Sequence, residues 1–162
     1  MTIVAWIVEA TWPACVDAAR RFARADAEIV LLHVTDHDIA NVAHGAYAGL
    51  LGRRHLRRDP GSQVHELASV AAHRLLEGAA ARLGRPCTPV ERTGRVETEV
   101  IAAADGAELL VLARDGDLGR LGPRSVGHES RFIVDHAPCP VLLVWPARPP
   151  AIGTIPPPPQ PR

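Results

Sequence analysis

The chain contains no lysine; all 18 of its Lys/Arg positions are arginine. That absence excludes a Walker-type G-x-x-x-x-G-K-[ST] phosphate loop, a Schiff-base lysine and a lysine general base. Excess charge is also missing. The formal net charge is zero at pH 7, so no global field points to nucleic acid, a membrane surface or acidic ligands. Cysteine is scarce: Cys15, Cys87 and Cys139 are odd in number and far apart, with no C-x-x-C pair and no zinc spacing. With no hydrophobic leader at Met1–Ala10, a reducing cytoplasm is the expected setting. The longest apolar runs have strand length, too short to span a bilayer.

What the chain does have is alternation of apolar runs and amphipathic stretches, in 162 residues that suit one domain. Thr2–Val8 is continuous, β-branched and apolar, as in a strand buried on both faces. Thr11 reads as an N-cap with Pro13 in the first turn, and Val16, Ala19, Phe22 and Ala23 supply a helical apolar face. Glu28–Val34 is a second buried strand. A long helix follows from a cap at Ser62 to about Leu83, with Val64, Leu67, Ala68, Ala71, Leu75, Ala79 and Leu83 inward, and Gly84 and Pro86 end it. Pro89–Thr93 is a short strand, and Glu97–Ala104 a helix with acids in its first turn. Leu109–Ala113, Gly127–His136 and Pro140–Trp145 complete the pattern as strand, helix and strand.

Two segments stand outside it. Thr35–Gly61 is a long inserted loop with the basic run Arg53–Arg58; a short helix near Ile39–Leu51 and an exposed turn at Asp59-Pro60-Gly61 are expected there. Residues 147–162 form a proline-rich tail expected to be extended, polyproline-like and disordered. Strands alternating with helices demand right-handed crossovers. The expected fold is therefore α/β: an open parallel five-stranded sheet, order 3-2-1-4-5, with helices on both faces. Such sheets bind ligands outside the carboxyl ends of their strands, where the winding reverses, here between strands one and four.

The stretch Ala107–Trp145 is the most specific. A-E-L-L-V-L-A leads into a loop with Arg114, Gly116, Gly119, Gly122 and Gly127, then a helix, then A-P-C-P-V-L-L-V-W. With T-I-V-A-W-I-V and E-I-V-L-L-H-V earlier, these residues resemble the universal stress protein family over nearly all of Thr2–Val144. The resemblance implies a binding or regulatory module that is cytoplasmic and homodimeric, with ATP or AMP, accompanied by Mg, as the ligand class. Nucleotide-binding members carry G-x-x-G-x9-G-[ST] after strand four and an Asp ending strand one. Glycines let backbone approach phosphate, and the helix N-terminus adds partial positive charge. Carried onto this chain, the nucleotide-binding positions are Val8, Glu9, Val34, Ala113, Arg114, Gly116, Gly119, Gly127, His128 and Glu129.

The motif is damaged here. Ala113 or Arg114 stands at the first glycine, Gly127 falls one residue late from Gly116, and His128 replaces the hydroxyl residue. Strand one ends in Val8 and Glu9 without an Asp. Arg114, Arg120 and Arg124 supply phosphate donors; Asp115 and Asp117 oppose them, and Glu129 stands where it can satisfy the helix amides that a phosphate needs. Two readings stay open: a module that binds ATP weakly or not at all, and an ATP/AMP-binding regulator whose loop arginines compensate, with slow hydrolysis.

Other constellations read as ordinary structure. His33, Asp36, His37 and Asp38 make a polar strand end, lacking a second cluster to complete a metal site even if His44 and His55 fold back. Ser125, Ser130, His128, Asp135 and His136 form no hydrolase triad, because adjacent helix residues diverge. Cys139, Trp6 and Phe132 read as packing. Strand five, Val141, Leu142, Leu143, Val144 and Trp145, is an uncharged apolar edge that needs cover. Family resemblance and edge physics both imply a homodimer through it.

Overall fold

The computed structural model describes residues 1–36 and 60–157, with backbone alone for 60–65. Five strands carry the fold: β1 (Thr2–Trp6), β2 (Glu28–Asp36), β3 (Thr88–Gly94), β4 (Leu109–Ala113) and β5 (Val141–Val144). Between them among the described residues stand α1 (Trp12–Phe22), α2 (Pro60–Leu83), α3 (Val96–Ala104) and α4 (His128–His136). The sheet order is β3-β2-β1-β4-β5 and every pairing is parallel, as the alternation of elements predicts.

The pleat sends successive side chains to opposite faces, so each strand feeds two cores. Ile3, Ala5, Ile7, Ile29 and Leu31 meet Val16, Ala19, Leu76 and Ala79 of α1 and α2. Val4, Trp6, Leu32, Val34, Leu110 and Leu112 meet Val100 of α3 and Ile133 of α4. Burial on both faces is why β1, β2 and β4 read as unbroken apolar runs. Each fully buried Ile or Leu contributes about 1.5–3 kcal/mol, so the two cores dominate stability.

Element ends differ from expectation where turns take over. Strand β1 stops at Trp6; the Ile7 amide still donates to the Leu32 carbonyl at 2.7 Å, and the Val8 carbonyl then accepts from Thr11 and Trp12 at 3.0 and 2.9 Å. Thr11 is the N-cap of α1 by position but makes no side-chain cap bond. Helix α2 begins at Pro60, so Pro60 and Gly61 are helical where a turn was expected and Ser62 lies inside the helix and does not cap it; Asp59 lies outside the described residues. A proline's fixed φ and missing N–H suit a first helical position. The helix expected near Ile39–Leu51 and the basic run Arg53–Arg58 lie outside the described residues.

Three apolar side chains assigned inward face solvent. Leu67 is 69% exposed; α2 buries Ala79 and Leu83 as read from the sequence, and with them Ala72 and Leu76, which that reading left out. Phe22, 52% exposed, lies under the Arg21 guanidinium; Phe132, 40% exposed, stacks on His136. The tail also differs over its first part. Ile152–Thr154 form one 3-10 turn, and Thr154 Oγ1 accepts the Leu121 amide at 3.1 Å, tying the tail to the loop after β4.

Candidate functional site

Strands β2 and β4 leave β1 on opposite sides, which puts the switch point at the carboxyl end of β1. A cavity of about 780 Å³ opens beside it, over the ends of β1 and β2. Glu9, Val34 and Glu129, three of the residues expected at the site, line it. Helix α1 adds Trp12, and α2 adds Leu75 and the small-residue stripe Ala68, Ala71, Ala72 and Gly78, whose short side chains leave the space open. The spacing of that stripe was visible in the sequence, but it reads equally as core.

His33 and Thr35 project from β2 into the same cavity. His33 Nδ1 lies 2.8 Å from the Ile7 carbonyl oxygen. A carbonyl only accepts, so Nδ1 is the donor in this bond and Nε2 is left as the acceptor of the neutral ring. Thr35 Oγ1 is buried and has no hydrogen-bond partner among the described residues. The remaining walls are Arg74 of α2, Val96 of α3 and Asp36.

The glycine-rich loop after β4 is closed by its own backbone. Gly116 donates to the Ser125 carbonyl at 3.0 Å and Asp117 to the Arg124 carbonyl at 2.8 Å, folding the loop back on itself. This close approach is what Gly116 permits. A Cβ there would press on the Arg124 carbonyl oxygen and lie 2.9 Å from the Ser125 carbonyl carbon. Asp117 takes up the far end of the loop, accepting from the Gly119 amide at 3.0 Å and pairing with Arg120 at 3.1 Å.

Asp115 decides the electrostatics. Its Oδ1 accepts the Gly127 amide at 2.7 Å and its Oδ2 accepts the Ser130 hydroxyl at 2.8 Å. The chain's own carboxylate therefore sits at the N-terminus of α4, where the dipole and free amides favour an anion. Glu129, expected in that role, faces the cavity instead. Burial, then Glu97, Asp36 and Asp115, push its carboxyl above the ordinary range, with His128 opposing. Nearby Glu97 goes the other way. A hydrogen bond from its own backbone amide, aided by Arg95 and opposed by burial, holds it low.

Arg114 does not line this cavity. Its Nη1 donates to the Ser125 hydroxyl and its guanidinium stacks over Trp145 at 4.8 Å, in a separate recess with Arg131. Ala113 is buried at the end of β4, and Val8 packs on the core under α3 and α4. Gly116, Gly119, Gly127 and His128 belong to the loop and helix start, outside the cavity wall. Strand β5 is the sheet edge, and Val141–Val144 and Trp145 are half-buried. Cys139 packs on the α3 and α4 core, and burial raises its thiol against a smaller opposing effect of the Leu110 amide. His37, Asp38, His44 and His55 lie outside the described residues.

This geometry can be set beside known proteins. The profile of the Universal stress protein family matches residues 8–144. The chain belongs to that family. No curated protein sequence matches it. Among solved structures it resembles the hypothetical protein MJ0577, with a TM-score of 0.66 and 14% identity over 89% of this chain and 94% of that one. A universal stress protein in complex with cAMP superposes with a TM-score of 0.60 at 16% identity, covering 91% of this chain and 98% of the other. An Arabidopsis thaliana family protein with AMP bound gives 0.55 at 18% identity, over 90% and 91%. At such identities the likeness shows the shared fold.

Proposed function

We propose that this universal stress protein is a dimeric binding and regulatory module whose crevice at the carboxyl end of β1 takes a small ligand and binds ATP weakly or not at all. The observation that carries this reading is the Asp115 carboxylate on the α4 N-terminus. A triphosphate would have to displace it or lie against it, and two like charges about 4 Å apart repel by roughly 4 kcal/mol at the effective dielectric near a protein surface. Support for a nucleoside-type ligand comes from the apolar cavity beside Val34 and Trp12 and from the cAMP and AMP complexes of proteins with this fold. An AMP-type ligand, placing one phosphate away from α4, is the second reading that the cavity favours. Two of the three loop arginines invoked for ATP lend it little: Arg114 is in another recess and Arg120 is paired with Asp117.

Dimerisation through β5 rests on an apolar, uncharged edge strand with a neighbour on one side only. The module is expected to work in the cytoplasm through protein partners or its ligand, without dedicated catalysis; among the described residues no helix is long and apolar enough to cross a membrane. Calorimetry with ATP, ADP, AMP and cyclic nucleotides, with and without magnesium, tests the reading. ATP binding at micromolar concentration by the unaltered chain would overturn it. Binding of AMP or a cyclic nucleotide with ATP much weaker is the expected result.

A further inference from the structure

On the side of α4 away from the crevice lies a second recess of about 260 Å³. Two guanidinium groups line it, Arg114 at the end of β4 and Arg131 of α4, with Pro123 and Val126 of the loop and Val134 between them. Arg114 is half-buried; among the described residues its Nε is sealed from solvent without a partner, and its side-chain hydrogen bond is to a neutral hydroxyl, that of Ser125. Arg131 donates to the neutral Pro123 carbonyl. Among the described residues neither arginine forms an ion pair, although Arg82, Arg92, Arg95 and Arg120 each do.

Withdrawing a guanidinium from water without a carboxylate leaves its charge uncompensated, and an anion that reaches it gains in proportion. The Trp145 ring holds the Arg114 plane from one side and restricts its rotamers, so little entropy is lost on capture. We propose that this recess is a binding site for a compact oxyanion, a phosphate or carboxylate group held between Arg114 and Arg131. Asp135 on the recess wall weakens it and sets its preference for a small, strongly charged group. The site is separate from the crevice, and its test does not depend on whether a nucleotide binds there.

Because Arg114 lies on Trp145, binding should change the Trp145 emission. Inorganic phosphate and acetate are titrated into the full chain at constant ionic strength, with chloride as the balancing ion; a Trp145→Phe chain assigns the signal. Saturable quenching or enhancement by phosphate or acetate, absent for chloride, is expected, and the stronger of the two names the class. Arg131→Ala, an exposed substitution that leaves the fold intact, should weaken it at least about tenfold, the loss of one charge-assisted hydrogen bond. Arg114→Gln should abolish it, Asp135→Asn should tighten it, and Arg120→Ala should leave it unchanged. A response that chloride reproduces, or that Arg120→Ala reduces as much as Arg131→Ala, would overturn the assignment.

Discussion

Replacing Asp115 separates two roles that the carboxylate combines. In Asp115→Ala the Gly127 amide and the Ser130 hydroxyl lose their acceptor. Loss of a helix cap costs about 0.5–2 kcal/mol, and a chain of this size loses about 2–4 °C of Tm per kcal/mol, so a drop of a few degrees is expected. The same change removes the negative charge from the anion-favouring end of α4. Full contact repulsion of roughly 4 kcal/mol is an upper bound. Asp115 is solvent-exposed on one side, so we expect about 1.4 kcal/mol to survive screening, a tenfold gain in ATP affinity. Asp115→Asn is the decisive partner, because asparagine caps nearly as well without the charge. It should keep most of the Tm and still gain ATP affinity. Calorimetry with ATP and AMP, beside scanning calorimetry of all three chains, reads both effects. If neither variant binds ATP better than the unaltered chain, Asp115 is not what excludes the polyphosphate, and the reasoning fails.

Further outcomes follow from the same contacts. Gly116→Ala should destabilise by about 1–3 kcal/mol, since the added Cβ meets backbone that cannot yield; a change in denaturation midpoint within error would contradict the loop path described. Glu129, raised by burial and neighbouring acids, contributes stability that is complete below its unfolded-state value and lost as pH rises through its folded-state value. Glu129→Gln should therefore raise Tm near neutral pH and have no such benefit below about pH 4, and an equal gain at both would refute the electrostatic cause. Leu143→Glu places a charge in the middle of the β5 edge and should yield monomers on sizing; an unchanged elution volume counts against a β5 interface. Ile133→Ala, at a side chain buried on all sides, should cost about 2–5 kcal/mol by urea unfolding, the range for a core cavity.

The fold was legible because its signal is local and redundant. Strands β1, β2 and β4 must be apolar on both faces, and that requirement is written in consecutive residues. Helix faces were less so: Leu67 and Ala72, five residues and so about 140° apart on α2, are both apolar, and only packing against the sheet decides that Ala72 is the buried one. The site was legible in part. Glu9, Val34 and Glu129 follow from strand ends and a helix start, which topology brings together. The α2 stripe was missed because alanine at helical spacing carries no mark distinguishing a cavity wall from a core, and His33 was read only as part of a polar strand end.

Residue order sufficed for the layered architecture, since each strand and helix declares its buried faces through its own periodicity. Only the folded chain could direct Asp115 onto the α4 terminus and Arg114 toward Trp145. These adjacent side chains share one loop and opposite fates, because a turn's path, unlike a strand's pleat, is set by backbone contacts such as Gly116 to Ser125 made across space.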